Sequence, residues 1–469
     1  MNSITPNLVA YLALMLWPLA TVALYQSRPL VPATLWSVLA AQLLLPVGTF
    51  FKIEMIPQFD RNSIPSLCIL VAFATSARRP APPRRRIGLA ECLLVASLTS
   101  PLITSMLNSD AIVIGTTVLP GVGAYDGISA VIAQSIALIP YVLGRRMTRD
   151  TEDLSQILKA LAVAGLLYSV LLLFEIRFSP QLHFWTYGYY PSDFVQQIRT
   201  GGGFRPMAFM GHGLIACFFM MTTLVATTTL WRIGEPVLGV NAAGPALYLG
   251  GVLAICKSGA ATAYGALLGP LVAWARPRLQ MRIAVLLAAV ALLYPSMRLA
   301  ELFPTQMLVE ASAGFSDSRA GSLKFRFDQE EALLSKVAER PLFGWGRYGR
   351  NRVFTEDWQG AAVDSSITDG RWIITLGQFG IFGFFAEFGL LALPIFRAAA
   401  ALRAATGFRD AAVLAAVALI IAANIIDLLP NSALSPWSWL MAGSLLGCAE
   451  RLRAPVRKQL RPRLALQPG

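Results

Sequence analysis

The sequence predicts an all-α fold: a polytopic bundle of transmembrane helices, about 10–13 spans, with one long helical loop outside the membrane. Three observations carry this. The 469 residues are 55% hydrophobic and only 14% charged, with a mean hydropathy of +0.58, whereas soluble chains carry about 25% charged residues. The apolar residues come in runs near the length of about 20 that a hydrocarbon core requires. The basic residues gather in the short gaps between those runs. Together these exclude a cytoplasmic enzyme, a secreted domain and a disordered scaffold.

Apolar runs cover residues 8–25, 30–51, 64–77, 87–107, 128–144 and 157–174. They resume at 209–231, 243–255, 261–275, 283–299, 372–396, 411–428 and 437–449. The first run lacks a basic leader and a small-residue cleavage site, so it reads as a span and not as a cleaved signal. Runs 8–25 and 64–77 set the lower bound of the count. The chain divides into N-terminal helices (1–174), central helices with a first external loop (175–299), an extracytoplasmic loop (300–371), and C-terminal helices with a basic tail (372–469).

The net charge of +13 orients the bundle without any need for nucleic acid as a partner. If every run crosses, one face collects Arg78, Arg79 and Arg84 to Arg86, then Arg145, Arg146 and Arg149, then Arg276, Arg278 and Arg282. Arg397, Arg403, Arg409 and the tail beyond Arg451 join them. By the positive-inside rule that face is cytoplasmic, which places the N-terminus and the segments 175–208 and 300–371 outside. The expected location is a membrane that the chain crosses many times, and the bilayer is the first partner. The five cysteines lie in or beside apolar runs without metal spacing and read as small buried hydrophobes.

The second external segment is far longer than an ordinary helix connection, and such loops commonly carry function. Within it, residues 322–338 form a helical stripe of Leu323, Phe327, Leu334 and Val337. Arg326 and Glu330 share another face at i, i+4. Pro341 ends the helix, and Gly344-Trp345-Gly346 makes a turn. On a reading without chemistry, this is an amphipathic helix lying on the membrane surface.

Four pieces of sequence form a pattern. Arg326 stands fifteen residues before Pro341-Leu342-Phe343-Gly344-Trp345-Gly346. Thr368-Asp369-Gly370-Arg371-Trp372 opens a helix rich in glycine and aromatics, Leu376-Gly377-Gln378-Phe379-Gly380-Ile381-Phe382-Gly383. Phe204-Arg205-Pro206-Met207-Ala208-Phe209 precedes His212, and Cys256-Lys257-Ser258-Gly259-Ala260 separates two apolar runs. Over about 201–391 this pattern resembles the O-antigen ligase and polymerase superfamily of bacterial envelope glycan assembly. There are departures. Asp369 stands where the family has a histidine, Lys257 precedes a serine that the family follows with arginine, and Glu330 replaces a common aromatic.

The resemblance implies glycosyl transfer from a polyprenyl-diphosphate-linked oligosaccharide on the outer face of the inner membrane. It implies inversion, no cofactor and no metal, with other envelope polysaccharide assembly proteins as further partners. The donor's diphosphate calls for arginine, which pairs bidentately with phosphate oxygens and stays charged. Arg205, Arg326 and Asp369 are the expected catalytic residues, with Asp369 taking the acceptor's proton. Lys257, Arg371, His212 and Trp345 are the expected substrate-binding residues.

Each has a plainer reading. Arg205 can be an interfacial anchor, Arg326 a surface partner of Glu330, Asp369 an N-cap, and His212 a satisfied helix histidine. Arg347, Arg350 and Arg352 read as a solvated basic run. Trp345 either packs the turn or stacks on sugar. Lys257, between two apolar spans, and Glu387, in the middle of one, are charges that a membrane rarely tolerates without a use. The acids Glu330-Glu331 and Glu356-Asp357 are adjacent and not spaced for a metal. Three activities compete: a polymerase that lengthens lipid-linked glycan, a ligase that moves finished glycan to lipid A–core or another acceptor, and a flippase or transporter. The polymerase is preferred because the missing histidine departs from the ligase pattern.

Overall fold

The computed structural model describes residues 5–53, 56–77, 87–199, 202–314 and 317–453. The basic stretch Arg78 to Arg86 and the tail from residue 454 lie outside the described residues. In chain order the helices are α1 (Leu8–Ser27), α2 (Leu30–Leu44), α3 (Ser63–Thr75), α4 (Leu89–Met106), α5 (Ala124–Met147) and α6 (Thr151–Phe178). After short α7 (Leu182–Tyr187) come α8 (Gly213–Arg232), α9 (Ala243–Ile255), α10 (Gly259–Trp274) and α11 (Pro277–Leu299). The long loop contributes α12 (Thr305–Ala313) and α13 (Asp317–Glu339), and the chain closes with α14 (Arg371–Ala401), α15 (Phe408–Asp427) and α16 (Pro436–Leu452).

Eight of these helices are long and apolar enough to cross a membrane, and α2, α3 and α9 are shorter apolar helices. The protein is an all-α, multi-pass membrane protein. Contacts between helix ends fix which termini lie together. At one end, Arg145 of α5 pairs with Glu91 of α4 at 2.7 Å and Glu450 of α16 at 2.6 Å. Arg409 at the start of α15 joins Glu152 of α6 and Glu235 beyond α8 there. At the other end, the N–H of Arg371 donates to the carbonyl of Leu428, at 2.9 Å, and Glu175 near the end of α6 binds the strand that leads into α8. We call this second end the cap end.

The tightest helix pair follows from small residues. Gly443 and Gly447 of α16 face α5 so closely that a Cβ on either would lie 2.0 Å from the carbonyl oxygen of Tyr141 or 2.3 Å from that of Arg145. The register leaves the start of α16 well below that of α5, so the first turns of α5 rise above it.

The cap is not wholly helical. Two hairpins, β1 (Ile112–Ile114) with β2 (Thr117–Leu119) and β3 (Phe354–Glu356) with β4 (Ala362–Asp364), pack on each other. The N–H of Thr116 donates to Gly360 at 2.8 Å, and that of Ala362 to the Thr117 hydroxyl at 3.0 Å. Nor does α13 lie free on a surface. Leu333, Leu334 and Val337 are buried, and Phe327 packs at 6.2 Å from Phe303 with Arg298 over its ring.

The sequence reads 372–396 as one straight span, and here the structure differs. Helix α14 breaks at Gly380, which has φ 64° and ψ −168°. The turn after α13 docks into the break. The N–H groups of Trp345 and Gly346 donate to Gly377 and Gln378, both at 2.9 Å, and that of Ile381 to Pro341 at 2.8 Å. Only glycine permits this approach, because a Cβ on Gly380 would lie 2.3 Å from the Leu342 carbonyl and one on Gly344 2.6 Å from Gln378. The glycine-rich turn and the glycine-rich helix are therefore two halves of one joint.

Candidate active site

At the cap end is a cavity of about 620 Å³. The strand before α8 supplies Arg199, Arg205 and His212, α13 supplies Arg326, and the approach to α14 supplies Asp369. The end of α15 supplies Asp427.

The segment before α8 is held by an acid that has no cation at ion-pair distance among the described residues. Glu175, fully buried, accepts the N–H groups of Leu182 at 3.1 Å, Met207 at 2.8 Å and Ala208 at 2.7 Å. Three backbone donors satisfy the carboxylate and pin the turn that presents Arg205. The Tyr168 hydroxyl takes the next N–H, from Phe209, at 2.9 Å. Upstream, Ile198 pairs with Phe204 across a hairpin, which sets Arg199 and Arg205 side by side. The ammonium of Lys257 donates to the Gly202 carbonyl at the hairpin's tip. It braces the loop from outside and does not line the cavity.

Charge in the cavity is unbalanced. Among the described residues neither Arg199 nor Arg205 has a carboxylate within ion-pair distance, and the Nε of each is buried without a hydrogen-bond partner. Burial lowers the pKa of Arg205 to about 10, with the Arg199 charge as the second cause. Arg205 therefore remains a cation near neutrality. Two guanidinium charges without a paired carboxylate describe a site for an anion with several acceptor oxygens.

His212 is the N-cap of α8, with Nδ1 accepting from the Leu214 N–H at 3.1 Å. That assigns the ring proton to Nε2, 3.3 Å from Gln196 Oε1. Burial first, then the charges of Arg205 and Arg199, hold its pKa below the usual histidine value. The ring is neutral and already committed through Nδ1, which makes it a donor toward the cavity and a poor proton acceptor.

Arg326 reaches Asp369, Nη2 to Oδ2 at 3.9 Å, and its Nη1 lies 3.5 Å from the Pro430 carbonyl. It does not pair with Glu330, which accepts from the Tyr294 hydroxyl at 2.8 Å and meets Arg298 at 3.3 Å. Nor is Asp369 a cap: Gly370 holds the N-cap position of α14 and no side chain caps it. Its carboxylate is half exposed to the cavity. Asp427 accepts from Asn431 Nδ2 at 3.1 Å on the same wall.

Arg205, His212, Arg326 and Asp369 thus meet around one space, and three other expected residues lie elsewhere. Arg371 turns away into an ion pair with Glu387. Trp345 is buried, donates to the Lys336 carbonyl at 2.8 Å, and has Lys336 and Arg340 over its ring at 3.7 Å and 4.1 Å. It packs the turn. Arg350 is no part of a solvated run: it is buried and donates to the carbonyls of Trp345, at 3.2 Å, and Pro120, at 2.9 Å. Arg352 pairs with Asp364 across the β3–β4 hairpin.

Sequence reasoning passed over Arg199 and Asp427. The signal for Arg199 is a glycine run that turns the chain back between it and Arg205. The signal for Asp427 is an acid at the end of an apolar run, a functional candidate by position alone.

Compared with models of known protein families and with curated protein sequences, the chain matches none.

Proposed function

We propose that this protein is a membrane glycosyltransferase that lengthens lipid-linked glycan, taking oligosaccharide from a polyprenyl-diphosphate donor. One observation carries the proposal: Arg199 and Arg205, neither with a carboxylate at ion-pair distance among the described residues, share a cavity with Arg326 and two carboxylates. A diphosphate supplies the missing counter-charge, and the cavity's place at one end of a helical bundle suits a head group whose tail stays in lipid. This reading takes the end with Arg145, Arg232, Arg276 and Arg409 as cytoplasmic, from the basic residues of the short connecting segments in the sequence, and the cap end as extracytoplasmic. A bacterial inner membrane is the setting the reading requires.

In the proposed reaction the acceptor's hydroxyl oxygen forms a bond to the anomeric carbon of the donor sugar. The bond from that carbon to the diphosphate oxygen breaks, and its electron pair leaves with the diphosphate. Arg205, Arg199 and Arg326 hold the departing charge. The hydroxyl proton passes to Asp369, whose carboxylate lies 3.9 Å from Arg326. Back-side attack inverts the anomeric centre, and no step calls for a metal.

The test uses the purified full-length protein with polyprenyl-diphosphate oligosaccharide extracted from the native cell, in the presence of a chelator. Glycan ladders on the polyprenyl carrier support the proposal. Transfer only to an added lipid A–core acceptor makes it a ligase. Donor left intact with every acceptor contradicts both, and movement of intact donor across a vesicle membrane indicates transport.

A further inference from the structure

A second and larger cavity, about 710 Å³, opens at the same end of the bundle. It lies over the start of α16, between the first turns of α5 and the strand that enters α3. Only a thin wall parts it from the first cavity. Asn431, Ser432 and Ala433 face the first, and Leu434 and Pro436 face the second. Asp369 lines one side, and Arg371, two residues on, lines the other.

The chemistry of the two differs. In the first, Arg199 and Arg205 have no carboxylate at ion-pair distance among the described residues, and Arg326 meets Asp369 at 3.9 Å. In the second, the deepest cation is already neutralised, because Arg371 is bound through two bonds to Glu387. Beside the charged Lys52, Asp60 and Arg347, the space is faced by six side chains that can both donate and accept or turn to do either: Gln58, Asn62, Tyr125, Ser129, Gln134 and Tyr348. Amides and hydroxyls of this kind match sugar hydroxyls, which also donate and accept. The volume is in the range of pockets that hold a ligand of several rings.

We infer that the second cavity binds the acceptor glycan through its sugar hydroxyls, with its growing end at the wall that carries Asp369. The inference rests on the transferase reading for the role of that glycan, though not for its binding. The two cavities then divide the labour: diphosphate and leaving charge in one, sugar chain in the other. A polymerase that must distinguish two lipid-linked substrates has in this wall the means to seat them differently.

The probe is the water-soluble oligosaccharide released by mild acid from the cell's own polyprenyl-diphosphate glycans. Its contact with the full-length protein in detergent is read by saturation-transfer NMR. Ser129→Trp fills the cavity, and Tyr348→Ala removes a wall group without adding bulk. Both are expected to lose the signal that the native protein gives, while Arg205→Ala keeps it. Signal retained in Ser129→Trp, lost in Arg205→Ala, or absent from the native protein overturns the inference. Oligosaccharide bound in this pattern by a protein that never consumes donor leaves the glycan site standing and removes the transferase reading.

Discussion

Arg371 and Glu387 stand sixteen residues apart in α14, yet their side chains meet through two hydrogen bonds, of 2.7 Å and 2.5 Å. A straight helix would hold them about 24 Å apart. They meet because the break at Gly380 folds the first turns of α14 back over the remainder. Thr375 adds a bond of 2.8 Å to the same carboxylate. The pair fixes the angle of the segment that begins just after Asp369, so a structural contact in one cavity sets the geometry of the other.

Removing one partner leaves a charge stranded. Glu387→Ala is expected to destabilise the protein by about 3 kcal/mol or more, the usual cost of breaking a buried pair. Glu387→Gln, which keeps an acceptor for Thr375, is expected to lose less. Thermal unfolding in detergent checks both, and an unchanged midpoint for Glu387→Ala contradicts the role given to the pair.

The joint between the turn and α14 gives a sharper contrast. Gly380 occupies a backbone region that essentially only glycine populates, with the Leu342 carbonyl against it. Gly380→Ala is expected to cost about 3 kcal/mol or more and to lower the amount of folded protein in the membrane. Gly251, in the middle of α9, has nothing within 4 Å of a Cβ. Gly251→Ala is expected to stabilise by up to about 1 kcal/mol through helix propensity. Folded yield by size-exclusion chromatography reads both variants.

The cavity arginines and the carboxylate divide by kinetics. Arg205→Ala is expected to slow transfer about 100- to 1,000-fold, the effect of losing one strong donor to developing charge. Arg205→Lys keeps the charge without the fork and is expected to fall between. Asp369→Asn is expected to cost about 100- to 10,000-fold while donor still binds. Single-turnover rates, with donor binding measured separately, separate the two roles. Equal loss of donor binding in both variants contradicts the assignment of Asp369 as proton acceptor.

His183 reports on pH. Its Nδ1–H donates to the Tyr189 carbonyl at 2.9 Å and its Nε2 accepts from Val47 at 3.3 Å, in a fully buried site. Burial lowers its pKa from 6.5 to about 4. The unfolded chain takes up the proton near 6.5 and the folded chain does not until about 4, so this residue's stabilisation is full above the first value and is lost as pH falls toward the second. His183→Gln is expected to flatten the fall of the unfolding midpoint over that window. Parallel curves for the two proteins contradict it.

Much of the fold was legible because bilayer thickness and hydropathy act on each span separately. The helices of runs 8–25, 157–174 and 411–428 appear within a few residues of where the apolar pattern puts them. The break in α14 was not legible. Its cause is the turn 341–346, more than thirty residues upstream, and a local pattern cannot register a distant backbone entering a helix. The site shows the same division. Arg205, Arg326 and Asp369 were singled out by the resemblance of their flanking motifs to a known family. The exit of Arg371 to Glu387, the covering of Trp345 and the burial of Arg350 depend on which face each turn presents once the cap has closed.

The central claim is tested most directly by the lipid-linked glycans of cells lacking this gene, sized by mass spectrometry beside the finished surface polysaccharide. The account predicts single repeat units on the polyprenyl carrier and no long polymer, restored by the native gene and not by Arg205→Ala. Long chains stranded on the carrier would make the protein a ligase. An unchanged glycan profile would contradict glycan transfer altogether.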